Sequence, residues 1–286
     1  MEIAIGLPTT IPGATREQVL EWARRADAAG FSGLGTIDRL VYPNYEPFMA
    51  LAAAAAVTER ARLITAIALL PQRANAPLVA KQAASLHTLS GGRFVLGVAP
   101  GGRPDDYEAV GVPFNKRGKL MDEMLDEITR IWAGEERGFA GGIGPDVSGD
   151  PPSILVGGLA DVAFRRAATY GDGWINGGGP PVAFAGGREK AREAFREAGR
   201  TEQPRVVSLT YFSLDADPEE QTRKTIGDYY AFAGDYQAAV VDGTAKGEEE
   251  VKERVKGFED AGCDELIMFP ASPDPDQVDK LAAAVL

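Results

Sequence analysis

The sequence predicts a (β/α)8 barrel, a TIM barrel, and three observations lead to it. Short apolar runs alternate with helix-period segments along the whole 286-residue chain, the pattern that builds a parallel sheet covered by helices. Thr58–Gly101 reads as a complete strand–helix–strand unit: Leu63–Leu70 and Phe94–Ala99 are apolar runs suited to strands buried on both faces, and Ala76–Leu89 between them carries helical spacing. Counted through, the units come to eight strands, each with a following helix, and the chain length suits one closed barrel. The expected organisation is therefore a single domain over 1–286, with a Gly-, Pro- and Asp-rich surface insertion near 134–152.

Taken in order, Ile3–Leu7 is the first strand, and Thr15–Ala29 is a helix opened by a Thr cap and closed by Gly30. Phe31–Ile37 is the second strand and Glu46–Val57 an alanine-rich helix. The third and fourth strands are the two runs of the Thr58–Gly101 unit, and Val112–Ala133 follows as a long helix with Met121, Met124, Leu125, Ile128 and Trp132 on one face. Ile154–Gly157, the helix Asp161–Tyr170, Gly173–Asn176, the helix Arg188–Ala198 and Arg205–Leu214 continue the series. Ala216–Gly262 is too long for one helix and is expected to hold two. Glu265–Phe269 and the helix Asp276–Val285 close the chain.

Composition removes several function classes. A formal net charge of −12 with no offsetting basic run disfavours nucleic acid or an anionic membrane as partner. Met1-Glu2 leads directly into an apolar strand, so no secretory leader is read and a cytoplasmic location is expected. One cysteine, Cys263, excludes an internal disulfide and a multi-cysteine zinc site. The sole histidine, His87, lies on the third helix away from the strand ends, which removes Ser-His-Asp and Cys-His catalysis and His-based metal sites. No metal ligand set is expected. A barrel without these groups, yet furnished with glycine turns, suggests that an organic cofactor performs the difficult step.

Two glycine turns leave strand ends bare. Pro100-Gly101-Gly102 follows the fourth strand, and Gly157-Gly158 runs from the fifth strand into the helix beginning near Asp161, where amides and a positive helix end converge as a phosphate would require. A tight structural loop is the equally weighted reading of the second turn taken alone.

These residues together resemble the luciferase-like monooxygenase family, which includes flavin-dependent monooxygenases and deazaflavin-dependent oxidoreductases. The resemblance rests on Ala28-Ala29-Gly30-Phe31 with Asp38, on Leu86–Gly101, on Arg117-Gly118 with Glu123, and on Gly157–Trp174 ending in Gly171-Asp172-Gly173-Trp174. It implies a bacterial-luciferase-like barrel with FMN or coenzyme F420 at its C-terminal mouth, the phosphate on amides around Gly157, Gly158 and Leu159, and a small organic substrate. It also implies a bulge with a non-prolyl cis peptide at the cofactor ring, matching Ala66–Ile67 here, and a homodimer formed through the helices after the second and third strands, where Ala50–Ala56 is nearly all alanine.

Many relatives carry Asp-His or Glu-His after the second strand, whereas this chain reads Thr36-Ile37-Asp38-Arg39. Asp38 is expected to contact the cofactor, and Arg39 to supply positive charge near an anionic ring or substrate, a surface ion pair being the even alternative. Substrate protonation is expected from water or from a residue such as Tyr107, with Gln72, Arg73, Asp105, Asp106, Gly101, Trp174 and Asn176 also at strand ends. For Trp174 packing beneath the barrel rim is the preferred reading over a place at the cofactor. The double glycine and Asp38 resemble the deazaflavin branch somewhat more closely. A flavin-binding protein without turnover is the rival reading, and a barrel lyase or aldolase ranks last because no strand carries a lysine.

Overall fold

Eight parallel strands close on themselves in this computed structural model, which describes residues 1–286, Ala140 by its backbone alone. The strands are β1 (Glu2–Gly6), β2 (Gly33–Thr36), β3 (Arg62–Thr65) continued by β4 (Ala68–Leu69), β5 (Phe94–Ala99), β6 (Ser153–Gly157), β7 (Gly173–Asn176), β8 (Arg205–Ser213) and β10 (Glu265–Pro270). A two-residue strand, β9 (Ala245–Lys246), pairs with the end of β8. Neighbours follow chain order, and β10 pairs with both β1 and β8, which closes the barrel. The helices are α1 (Arg16–Ala29), α2 (Pro47–Ala55), α3 (Ala76–Leu89), α4 (Pro104–Ala109), α5 (Arg117–Trp132), α6 (Asp161–Tyr170), α7 (Pro181–Glu197), α8 (Pro218–Tyr229), α9 (Asp235–Asp242), α10 (Gly247–Asp260) and α11 (Asp276–Val285).

The apolar runs serve two cores at once, which is why they do not alternate with polar residues. Along β8, Val207, Leu209 and Tyr211 face the barrel interior with Ile64, Leu155, Ile175 and Ile267, while Val206 and Phe212 face the helices. The interior admits Phe269 only because β1 and β2 present glycine there: a Cβ on Gly6 would lie 2.1 Å from that ring, and one on Gly35 3.0 Å. At the N-terminal end of the strands Glu265, 1% exposed, accepts from Ser32, Arg62 (2.8 Å) and Arg205 (2.9 Å). That end is closed by charge, and the opposite end is left for the site.

Several expected boundaries move. The helix read from Val112 begins at Arg117, after α4 and a short turn at Phe114–Lys116, because Gly111 and Pro113 interrupt it. The helix read from Arg188 begins at Pro181 and runs through Gly186-Gly187. Glycine is required at 187, where a Cβ would sit 2.2 Å from the Trp174 ring. Ala216–Gly262 holds three helices and β9 rather than two helices. The third strand is not continuous: Ala66–Ile67, joined by a cis peptide, separates β3 from β4. Among the described residues no helix is long and apolar enough to cross a membrane.

Candidate active site

A cavity of about 390 Å³ opens at the C-terminal end of the barrel. Its floor is Ala66 and Ile67 of the β3–β4 bulge with Leu209 and Tyr211 of β8; its sides are Asp38, Gly101, Gly102 and Arg103. Tyr229, Tyr230, Phe232 and Tyr236, from the segment joining α8 to α9, cover one flank. A second cavity of about 320 Å³ adjoins it across Gly177, Tyr211, Tyr230 and Tyr236, and is walled by Gly178, Gly179, Thr210 and Arg254.

Asp38, on the side of the cavity, is tied to its floor. One of its oxygens, Oδ2, accepts from the Leu69 amide at 2.9 Å and from the Arg73 guanidinium at 2.9 Å. Arg73 also pairs with Glu46 at 2.9 Å and lies over the Phe48 ring. The network ties the segment after β2 to the strand segment that follows the Ala66–Ile67 bulge. Charge-assisted bonds of this kind are the stronger class of hydrogen bond.

Arg39 does not reach the cavity floor. Its side chain turns to the rim, pairs with Asp105 at 3.3 Å, donates to the Tyr229 carbonyl at 3.3 Å and packs over Tyr42 and Phe232. At 8% side-chain exposure it is not the surface ion pair of the alternative reading either. Asp106 is fully buried and accepts from the Leu40 and Val41 amides, holding the same loop. Tyr107 is likewise not brought to the cavity. Its ring is 1% exposed, packs edge-on against Phe114, and its hydroxyl donates to the Pro100 carbonyl. Burial pushes the phenol up to about 12, so it does not give up its proton readily. Arg117 donates to the Phe114 carbonyl and lies over that ring, and among the described residues it has no acidic partner. Gln72 is buried in the turn after β4 and Asn176 donates to Gly178 and Ser208.

The turn after β6 has the geometry of a close-approach loop. Gly157 faces Ile67, whose Cδ1 would lie 2.8 Å from an added Cβ, and Gly158 has φ +129°, a conformation open to glycine. Ala160 opens α6 with no capping side chain, which leaves first-turn amides for an anion. Leu159 is 69% exposed beside it. Trp174 is not a lining residue: it is fully buried outside the barrel wall, stacked on Phe184, and its indole N–H donates to the Gly158 carbonyl at 2.8 Å. Gly101, at φ +73°, lines the main cavity as expected from its turn.

Three features of the cavity escaped the sequence reading. Arg103 stacks on Phe232 (3.4 Å to the ring centre) and Tyr229 (4.9 Å), is 9% exposed, and its Nη1 has no hydrogen-bond partner among the described residues. Burial lowers its pKa, although an arginine stays charged. The phenols of Tyr211 and Tyr230 face one another at 3.0 Å, and burial raises the pKa of both; burial likewise holds Tyr229 at about 12. The Gly177-Gly178-Gly179 run supplies a further bare turn after β7, with φ +118° and +110° at its last two residues. The glycine run was visible in the sequence, as was an arginine directly after Gly101-Gly102; which arginine turned inward was not. Among the described residues no group of three or more His, Cys, Asp and Glu is arranged to hold a metal ion.

A family model described as luciferase-like monooxygenase matches residues 1–285 of the chain. An uncharacterised protein of Mycobacterium tuberculosis is 37% identical over 224 residues, which are 68% of this chain and 77% of that protein. Among solved structures, an F420-dependent secondary alcohol dehydrogenase in complex with an F420-acetone adduct superposes with a TM-score of 0.81 at 19% identity, covering 100% of this chain and 98% of that one. The oxygenating constituent of 3,6-diketocamphane monooxygenase from Pseudomonas putida, in complex with FMN, superposes with a TM-score of 0.74 at 19% identity, covering 99% and 95%. At such identities the two structures share the fold with this chain.

Proposed function

Because the chain belongs to the luciferase-like monooxygenase family, we propose that it is an oxidoreductase that holds FMN or the deazaflavin coenzyme non-covalently at the barrel mouth and acts on a small organic molecule. The observation that carries this reading is the main cavity itself, in which Ala66 and Ile67 of the bulge and the bare backbone of Gly101 line one side. The bare backbone of Gly101 on that side fits the close approach of a planar ring, and side chains added at Gly101 and Gly157 would press on Leu69 and Ile67. When bound, FMN would supply oxygen insertion into substrate, and the deazaflavin would supply hydride transfer without oxygen.

The chain's own part is position and proton economy. Ala66 and Ile67 would carry one face of the ring, fixed by Asp38 and Arg73; the Gly158 turn and first amides of α6 would take the phosphate. Tyr229, Tyr230 and Phe232 would exclude water from the substrate side. Tyr211 and Tyr230, protonated through the physiological range, are the hydroxyl donors nearest the floor, in place of the histidine of relatives and of Tyr107.

Retention of one cofactor after desalting tests the binding claim. Turnover with and without oxygen then separates the two chemistries. The lack of any histidine at the mouth favours a second reading, a cofactor-binding protein without turnover; cofactor that binds yet stays reduced with every substrate offered would support it.

A further inference from the structure

Three arginines and four carboxylates stand around the mouth, and they are not evenly paired. Arg39 is matched by Asp105, and Arg73 by Asp38 and Glu46, while Asp106 accepts from two amides at Oδ1 and keeps a buried Oδ2 with no hydrogen-bond partner among the described residues. Arg103 has no such partner: no carboxylate of the described residues forms an ion pair with it, its Nη1 is buried and unbonded, and it is nine-tenths buried at the cavity wall. The rings of Phe232 and Tyr229 hold its guanidinium plane, which steadies the group but leaves its N–H edges free. Burying an unpaired charge is costly, so such a group is retained where an anion completes it. Tyr211, Tyr229 and Tyr230 form the aromatic part of the same wall.

We propose that Arg103 is the specificity-determining residue of this cavity and receives the carboxylate of a planar aromatic acid, whose ring packs against the tyrosine wall. The proposal rests on the reading of this cavity as the substrate site. The guanidinium fork matches a carboxylate through two parallel N–H donors, and a neutral amide of the same shape leaves part of that fork unpaired.

The test uses benzoate and its neutral isostere benzamide, titrated into the wild-type protein and into Arg103→Met and Arg103→Gln variants, both with cofactor loaded and without it. Cofactor affinity is measured separately for each. Wild type is expected to bind benzoate at least about tenfold more tightly than benzamide, roughly 1.4 kcal/mol. Both variants should bring that ratio to about one, with benzamide and cofactor binding unchanged. Equal binding of the two probes by wild type, or binding of neither, overturns the proposal, as does a preference that survives both substitutions. Loss of cofactor affinity in the variants with benzoate binding intact also overturns it, assigning the guanidinium to the cofactor's own negative charge. If wild type retains neither cofactor but still prefers benzoate through Arg103, the oxidoreductase reading fails while this one stands.

Discussion

The indole N–H of Trp174 donates to the carbonyl oxygen of Gly158 at 2.8 Å, linking the outer face of β7 to the turn after β6. The indole is itself locked by stacking on Phe184 and by the bare backbone of Gly187. The turn proposed to hold the cofactor phosphate is thus set by packing outside the barrel. A Cβ at Gly158 would lie 2.9 Å from that of Ala163, in a backbone conformation unsuited to side chains. Gly158→Ala should therefore weaken cofactor binding by strain alone, and Gly158→Asp should weaken it by at least a further tenfold, about 1.4 kcal/mol, through repulsion of the phosphate. Titration of both variants checks this; equal affinities would remove the phosphate from this turn. Trp174→Phe keeps the stacking and loses the hydrogen bond, and a few-fold loss is expected.

Asp38 and Arg73 form a pair in which both side chains are largely buried. Asp38→Asn leaves Arg73 with Glu46 alone and should cost on the order of 3 kcal/mol in stability, with cofactor affinity falling as the Leu69 amide and the bulge shift. Glu265→Gln, at the opposite end of the barrel, should destabilise by a similar amount while leaving cofactor affinity intact, since Arg62 and Arg205 lie far from the mouth side of the strands. Denaturant midpoints and cofactor titrations, measured together, separate the two effects.

Cys263 is 5% exposed, with Sγ 3.1 Å from the Glu265 carbonyl, and burial pushes its thiol from 9.0 to about 12. The folded state keeps the proton that the unfolded chain releases. Its contribution to stability is thus present below pH 9 and is lost as pH rises from 9 toward 12. At pH 8 a thiol reagent should label the protein only at the rate of unfolding and reach one thiol per chain in denaturant. Rapid stoichiometric labelling of the native protein would contradict this placement.

Met49 on α2 and Leu78 on α3 are 59% and 51% exposed, with Leu40 and Val41 also exposed on the loop that precedes α2. We propose that this surface pairs two copies of the chain, as the family resemblance implies. Light scattering at micromolar concentration should give the mass of a dimer, and Met49→Glu with Leu78→Glu should give that of a monomer.

The barrel was legible because parallel strands covered on both sides leave apolar runs that survive in any reading of the sequence. Gly101, Gly157 and Gly158 were legible because close backbone approach demands the absent Cβ. What the sequence concealed was direction. Trp174 sits in a four-residue strand between glycines, too short for alternation to reveal that Ile175 takes the interior and Trp174 the outer wall. Arg39 and Arg103 follow different strands, and which of them meets the cavity depends on Tyr229–Phe232 crossing the mouth from a distant helix. Tyr107 reads as a mouth residue by position, yet its hydroxyl is consumed by Pro100 in its own loop. The helix read from Arg188 starts at Pro181 instead, and its Gly187 is explained only by the Trp174 ring that packs against it from a strand remote from that helix's own periodicity.

The most direct test of the account is the absorption spectrum of the protein after incubation with FMN or with the deazaflavin coenzyme, separately, followed by desalting. The account predicts that one of the two is retained at close to one per chain, and that Gly158→Asp abolishes its retention without unfolding the protein. Passage of both cofactors through the column, with the wild-type protein folded, would contradict it.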